Sequence, residues 1–167
     1  EDGTSHHRGL VYKVINGKET RTPYFLWNQN KPNDASSYYD GIQSEYPDIH
    51  DGEPWTWDPL RKNIYYLAGY TNNAFYNNIG KYYDLPVFFD FMLFLDLLYA
   101  IDNVGKNYYC WFYDYSSNDK RMGITPWDLD VSWGRDETGV RVSATTELTN
   151  KTNFHTRMSE HYKGYDL

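Results

Sequence analysis

The spacing of apolar positions changes several times along the chain. Residues 9 to 15, Gly-Leu-Val-Tyr-Lys-Val-Ile, are β-branched and aromatic and read as one strand. From Thr20 to Asp58 the chain is polar, studded with Tyr and Trp, and carries Pro23, Pro32, Pro47 and Pro54. That composition resists regular structure and predicts a long surface loop over 20–57. Helical spacing follows: Asp58 to Gly69 with Leu60, Ile64 and Leu67, then roughly Asn72 to Tyr83, then Pro86 to about Ile101. The third segment is apolar on nearly every face, which predicts a central helix with the other two packed around it. Asn107 to Tyr115 is β-prone, Ser116 to Asp119 reads as a turn, and Lys120 to Thr125 returns as the partner strand of a hairpin. After Gly134 the pattern fades, with one weak strand signal near Val140 to Ala144.

These elements predict an α+β fold that is mainly helical, in a single domain over 1–167 with its core in 58–135 and a poorly defined 136–167. A length of 167 residues suits one domain with a real core. Aromatic residues make up 19% of the chain, mostly as 18 Tyr, so the aliphatic centre between Leu85 and Ile101 is expected to be edged by amphipathic rings. The net charge of −7, with no cluster of Lys and Arg to offset it, argues against nucleic acid as a partner. Cys110 is the one cysteine, which excludes an internal disulfide and a Cys-based zinc site and predicts a buried thiol. The apolar run from Pro86 to Ile101 would rise roughly 24 Å as a helix against a hydrocarbon core of about 30 Å, and Asp90 and Asp96 interrupt it, so no membrane span is expected. The chain opens Glu1-Asp2-Gly3 without a Met, which fits a piece of a longer protein.

Candidate chemistry gathers around the hairpin. Asp102 and Asn107 have the Asp-x-x-x-x-Asn spacing of a phosphoryl-transfer loop, in which the Asp accepts a proton from the attacking hydroxyl and the Asn holds a metal ion. Spacing alone is worthless here, because Asp58 and Asn63 repeat it at a helix start where a structural role suffices. Asp102 instead closes the apolar run just before the hairpin. An antiparallel return would bring Asp128 and Asp130, in Pro126-Trp127-Asp128-Leu129-Asp130, back beside Asn107. Converging carboxylates repel, and a divalent cation such as Mg²⁺, held by one or two carboxylates plus substrate phosphates, offsets that repulsion. The same pair could instead cap turns beside Trp127 and Trp133, and the pair alone does not choose between the two. Lys13 invites comparison with a phosphate-pairing lysine, but no Gly-rich loop precedes it and it reads as a solvated strand residue. Asp48, Asp51 and Glu53 lack the ligand alternation of a calcium loop and read as a solvated acidic loop.

The stretch from Asp84 to Arg135 resembles the C-terminal lobe of the CotH kinase family, the spore-coat protein H type, atypical kinases distantly related in fold to protein kinases. The residues that carry the resemblance are the apolar helix, Asp102, Asn107-Tyr108-Tyr109, the hairpin, and Pro126-Trp127-Asp128-Leu129-Asp130-Val131-Ser132-Trp133-Gly134. The resemblance implies a protein-kinase-like lobe with Asp102 as the catalytic Asp, Asn107 as a metal and cofactor ligand, Asp128 as the principal ligand of Mg²⁺ or Mn²⁺ with ATP, and Asp130 as a second acidic contact. It further implies a protein substrate with a Ser or Thr acceptor, and allows a cell-surface, secreted or spore-coat location. Trp133 stands where the family more often has Phe. The nucleotide-covering N-terminal lobe has no counterpart upstream of Gly9, so the chain is expected to contribute the catalytic lobe of a longer parent and to be inactive alone. Two other classes compete: a degenerate kinase fold kept as a binding or scaffold module, and a secreted carbohydrate-binding module using Trp55 or Trp57 as a sugar platform.

Overall fold

The computed structural model describes residues 9–15, 36–39, 41–47, 56–69, 72–115, 120–136 and 138–141. Five strands, β1 (Leu10–Val14), β2 (Tyr38–Tyr39), β3 (Ile42–Tyr46), β4 (Tyr108–Phe112) and β5 (Met122–Pro126), form one antiparallel sheet in the order β2-β3-β1-β4-β5. Three α-helices lie between β3 and β4: α1 (Asp58–Gly69), α2 (Asn72–Asn78) and α3 (Leu85–Leu98). Short 3-10 turns follow α2 at Ile79–Lys81 and α3 at Ile101–Val104.

The fold is α+β, as expected, but helices do not dominate it. The strand at 9–15 is no isolated edge: β1 is the middle strand of the sheet, pairing β3 on one side and β4 on the other. Nor is 20–57 a loop throughout, since β2 and β3 lie inside it. Tyr39 pairs with Ile42 across a two-residue link in which Gly41 takes φ +87°, a left-handed conformation that glycine adopts without a Cβ penalty. The core accordingly reaches outside 58–135 and includes Leu10, Tyr12, Val14 and Ile42.

Alternation along β1 and β4 turns Leu10, Tyr12, Val14, Tyr108, Cys110 and Phe112 inward and leaves Val11, Lys13, Tyr109 and Trp111 on the other face. On the inward face α3 packs against β5, with Phe88, Phe91, Met92 and Leu95 as its buried residues. Phe91 meets Tyr108 and Phe88 meets Tyr83 edge-on, at ring separations of 6.0 and 5.1 Å. Here the central-helix expectation needs correcting. Leu93 and Leu97, one turn apart, are 67% and 74% exposed, so α3 is a one-sided helix lying on a sheet. The sheet's inward face supplies the burial that neighbouring helices were expected to give.

The helix boundaries follow local chemistry. At α1, Pro59 occupies the first turn and Leu60 and Ile64 face the core one turn apart. The Thr56 hydroxyl accepts the Asp58 N–H at 3.1 Å, and the Asp58 carboxylate pairs with Arg61. Asn63, the other half of the decoy spacing, is buried and donates to the Pro59 carbonyl at 3.0 Å, a structural role. At its other end α3 stops at Tyr99, whose φ of +51° turns the chain out of the helix while Ala100 N–H bonds back to Leu95 O at 3.0 Å. The chain therefore reaches Asp102 directly off the end of α3. No helix among the described residues is long and apolar enough to cross a membrane. Cys110 is buried.

Candidate active site

The segment Ile101–Val104 and the residues just after it meet the exit of β5 at one end of the β4–β5 hairpin. The register Tyr108↔Pro126 puts Asn107 and Trp127 opposite each other past the last paired residues. Trp127 N–H donates to the Asn107 carbonyl at 3.0 Å, and Asn107 N–H donates to the Val14 carbonyl at 2.8 Å, so the middle strand also pins this end.

Asn107 and Asp128 both adopt left-handed backbone, with φ of +59° and +54°. Left-handed backbone costs a non-glycine about 1–2 kcal/mol, least for Asn and Asp, whose short polar side chains bond locally. Each therefore marks a place where the chain turns a polar side chain out of the strand direction.

The Asn107 amide Nδ2 donates to Asp102 Oδ2 at 2.6 Å, and Lys106 Nζ approaches the same oxygen at 3.0 Å. A carboxylate only accepts, so the NH₂ end of the amide must face it, which leaves Asn107 Oδ1, a hard oxygen, on the far side. Asp102 is mostly buried and carries its counter-charge with it in Lys106.

Asp128 sits close enough to feel Asp102 and Asp130. Its carboxyl titrates above the ordinary carboxylate value because of partial loss of water, the negative charge of Asp130, a hydrogen bond shared with Asp130, and the charge of Asp102, with Lys106 pulling the other way. The residue as a whole is exposed. The carboxylate neighbours, and not burial, are thus the part of that perturbation a cation would reverse.

Among the described residues no group of three or more His, Cys, Asp and Glu is arranged to hold a metal ion. Magnesium sites that share coordination with substrate phosphates need only one or two carboxylates. An amide oxygen and carboxylates are hard donors, the chemical type that suits Mg²⁺ or Mn²⁺.

Four neighbours stand outside the site as the sequence drew it. Lys13, read as solvated, lies with Nζ 4.1 Å from the Trp127 ring centroid and 5.9 Å from that of Tyr109, and pairs with Glu45 at 3.9 Å. It brings positive charge onto the ring next to Asp128. Trp127 Nε1 is buried with no partner among the described residues. Lys106 is adjacent in sequence to Asn107, but nothing in the sequence says that it turns back to Asp102. Asn103 lies fully buried beneath the loop, with Nδ2 2.8 Å from Asn107 O and 2.7 Å from Trp127 O. Its Oδ1 has no partner among the described residues, an omission that costs a buried acceptor about 1–3 kcal/mol.

Other candidates fare differently. Trp57, offered as a sugar platform, is fully buried with its Nε1 bonded to Ser36 O at 3.1 Å, which removes it from that role. Trp55, the acidic group Asp48, Asp51 and Glu53, and the turn at 116–119 lie outside the described residues. Of the strand signal at Val140 to Ala144, only an isolated Arg135↔Arg141 bridge falls within them.

A family model described as CotH kinase protein matches residues 7–165, nearly the whole chain. The chain belongs to the CotH kinase family, and that membership points to a kinase-like function. No curated protein matches the sequence.

Proposed function

We propose that the full-length protein transfers the γ-phosphoryl group of ATP to a Ser or Thr hydroxyl of a protein substrate, and that this chain supplies the catalytic lobe of a protein-kinase-like fold. The observation that carries the reading is the Asn107–Asp102 hydrogen bond at 2.6 Å beside a crowded Asp128 at the end of one hairpin. In this reading Asp102 orients the acceptor hydroxyl and takes its proton. Lys106, on Oδ2, supplies the counter-charge and holds that carboxylate in place. Asn107, through Oδ1, and Asp128 are the residues that would hold Mg²⁺ or Mn²⁺, with Asp130 as a further acidic contact. The ion, when bound with ATP, supplies charge neutralisation at the phosphates. Everything else asked of the chain is positioning, which is most of what phosphoryl transfer requires.

A second reading is a degenerate kinase fold kept as a scaffold. Transfer of radiolabelled phosphate by the full-length protein separates the two. The kinase reading predicts a loss of at least about a hundredfold in Asp102→Ala and in Asp128→Ala, the scale on which a positioned acid–base group acts. Equal transfer by wild type and both variants removes the kinase reading. Absence of Mn²⁺-dependent ATP binding by calorimetry supports the scaffold.

A further inference from the structure

Asn103 is a wholly buried amide whose two Nδ2 hydrogens both go to main-chain carbonyls, Asn107 O at 2.8 Å and Trp127 O at 2.7 Å. Those carbonyls belong to different parts of the proposed site. Asn107 O begins β4 immediately after the loop that carries Asp102, and Trp127 O lies in the peptide unit that leads into Asp128. The backbone alone supplies one link here, Trp127 N–H to Asn107 O at 3.0 Å, which fixes the peptide plane before Trp127. The plane after Trp127 orients Asp128, and among the described residues Asn103 is what holds it. Asp128 depends on that plane, because a left-handed φ of +54° is kept only where the surroundings determine it.

The orphaned Oδ1 of Asn103 points the same way. An apolar side chain of the same shape would not bury an unpaired acceptor, so the amide is a poor choice if packing is all that is needed. We propose that Asn103 is a positioning residue that clamps the Asp102–Asn107 loop to the Trp127–Asp128 peptide unit, and so sets the separation of the groups that act on the phosphate. The inference rests on the phosphoryl-transfer reading given above.

The test compares wild type, Asp128→Ala, Asn103→Leu and Asn103→Ser in the full-length protein, with two readouts. The first uses metal-free protein: hydrogen exchange of the Trp127 amide, referred to that of Cys110 in the middle of β4. Loss of the clamp is expected to speed Trp127 exchange at least about tenfold relative to Cys110. The second is the ratio of Mg²⁺- to Mn²⁺-supported kcat, in which the folded fraction cancels. Mg²⁺ demands near-ideal geometry and a misplacement on the order of 1 Å can cost about a hundredfold, so both Asn103 variants should lose Mg²⁺-supported turnover about tenfold more than Mn²⁺-supported turnover. Unchanged Trp127 exchange, an unchanged ratio, or failure of both variants to fold makes Asn103 a structural residue and overturns the proposal. Wild-type protein without transfer activity, or with activity indifferent to Asp128→Ala, fails the phosphoryl-transfer reading itself and takes this proposal with it.

Discussion

The two ends of the β4–β5 hairpin are built from the same pair of strands and do opposite things. At the end where Phe112 pairs with Met122, the Met122 N–H donates to Tyr82 O at 2.8 Å and its carbonyl accepts from Asp84 N–H at 2.9 Å. Tyr83, fully buried, fills that junction and donates its hydroxyl hydrogen to Asn63 O at 2.8 Å. There the hairpin is tied to the entry of α3 with its polar atoms paired. At the other end, past Tyr108 and Pro126, stand two left-handed non-glycine residues, three carboxylates and two lysines. One end is arranged to be stable, and the other holds strained backbone and crowded charge that the first end's stability makes tolerable.

Breaking the closed end should have the largest effect on stability. Tyr83→Ala removes a fully buried ring and its hydrogen bond to Asn63 O, and is expected to cost about 3–5 kcal/mol in urea unfolding. Phosphate transfer per folded molecule should stay unchanged; a change would mean the two ends are not separable. Next comes Gly123→Ala, midway along β5. A Cβ there would collide with the Trp111 ring, which rests on the glycine and donates Nε1–H to Thr125 Oγ1 at 3.0 Å. Trp111 must swing away, at about 1–3 kcal/mol; an undiminished melting temperature would show that the ring does not lie where described.

The open end should answer in the reverse sense. Lys106→Met removes an ion pair whose lysine lies at the surface, so unfolding should change by less than about 1 kcal/mol, yet phosphate transfer should fall as Asp102 loses its counter-charge. A large stability loss with intact transfer would invert the contrast between the ends. The smallest effect lies in the turn beyond the site. The Asp136 carboxyl is held below the ordinary value because Thr138 Oγ1–H donates to it, reinforced by the N–H groups of Thr138 and Val140. The folded chain thus binds that proton less readily than the unfolded one. The resulting stabilisation is complete above the unfolded value near 3.8 and is lost as pH falls through the lower folded value. Asp136→Ala should narrow the acid-side decline in stability slightly; an unaltered acid limb would remove this contribution.

Local chemistry made some of this legible in sequence. The α1 boundaries, Asp58 and Gly69, are set by a Thr-Trp-Asp-Pro start and a terminal glycine, and the hairpin by aromatic strands around a polar turn. The β2–β3 pair was readable too, since Asp40-Gly41 between Tyr39 and Ile42 is a hairpin signal, but the prolines around it dominated the reading. They flank those strands instead of interrupting them. The exposed face of α3 was not readable, because Leu93 and Leu97 are chemically the same as the buried Leu95, and only the position of the sheet decides which is covered. At the candidate site the sequence singled out the carboxylates and the amide. Lys106 and Asn103 come into view only once the chain folds back, and Lys13, weighed in sequence and read as solvated, turns out to lie on the Trp127 ring; each acts on a partner through space: Asp102, Trp127 O and that ring.

The most direct measurement is anomalous scattering from Mn²⁺ in crystals of the full-length protein grown with a non-hydrolysable ATP analogue. One peak within coordination distance of Asn107 Oδ1 and the Asp128 carboxylate, lost in Asp128→Ala, is the expected result. A bound nucleotide whose metal lies away from both residues would contradict the assignment of this hairpin end as the phosphoryl-transfer site.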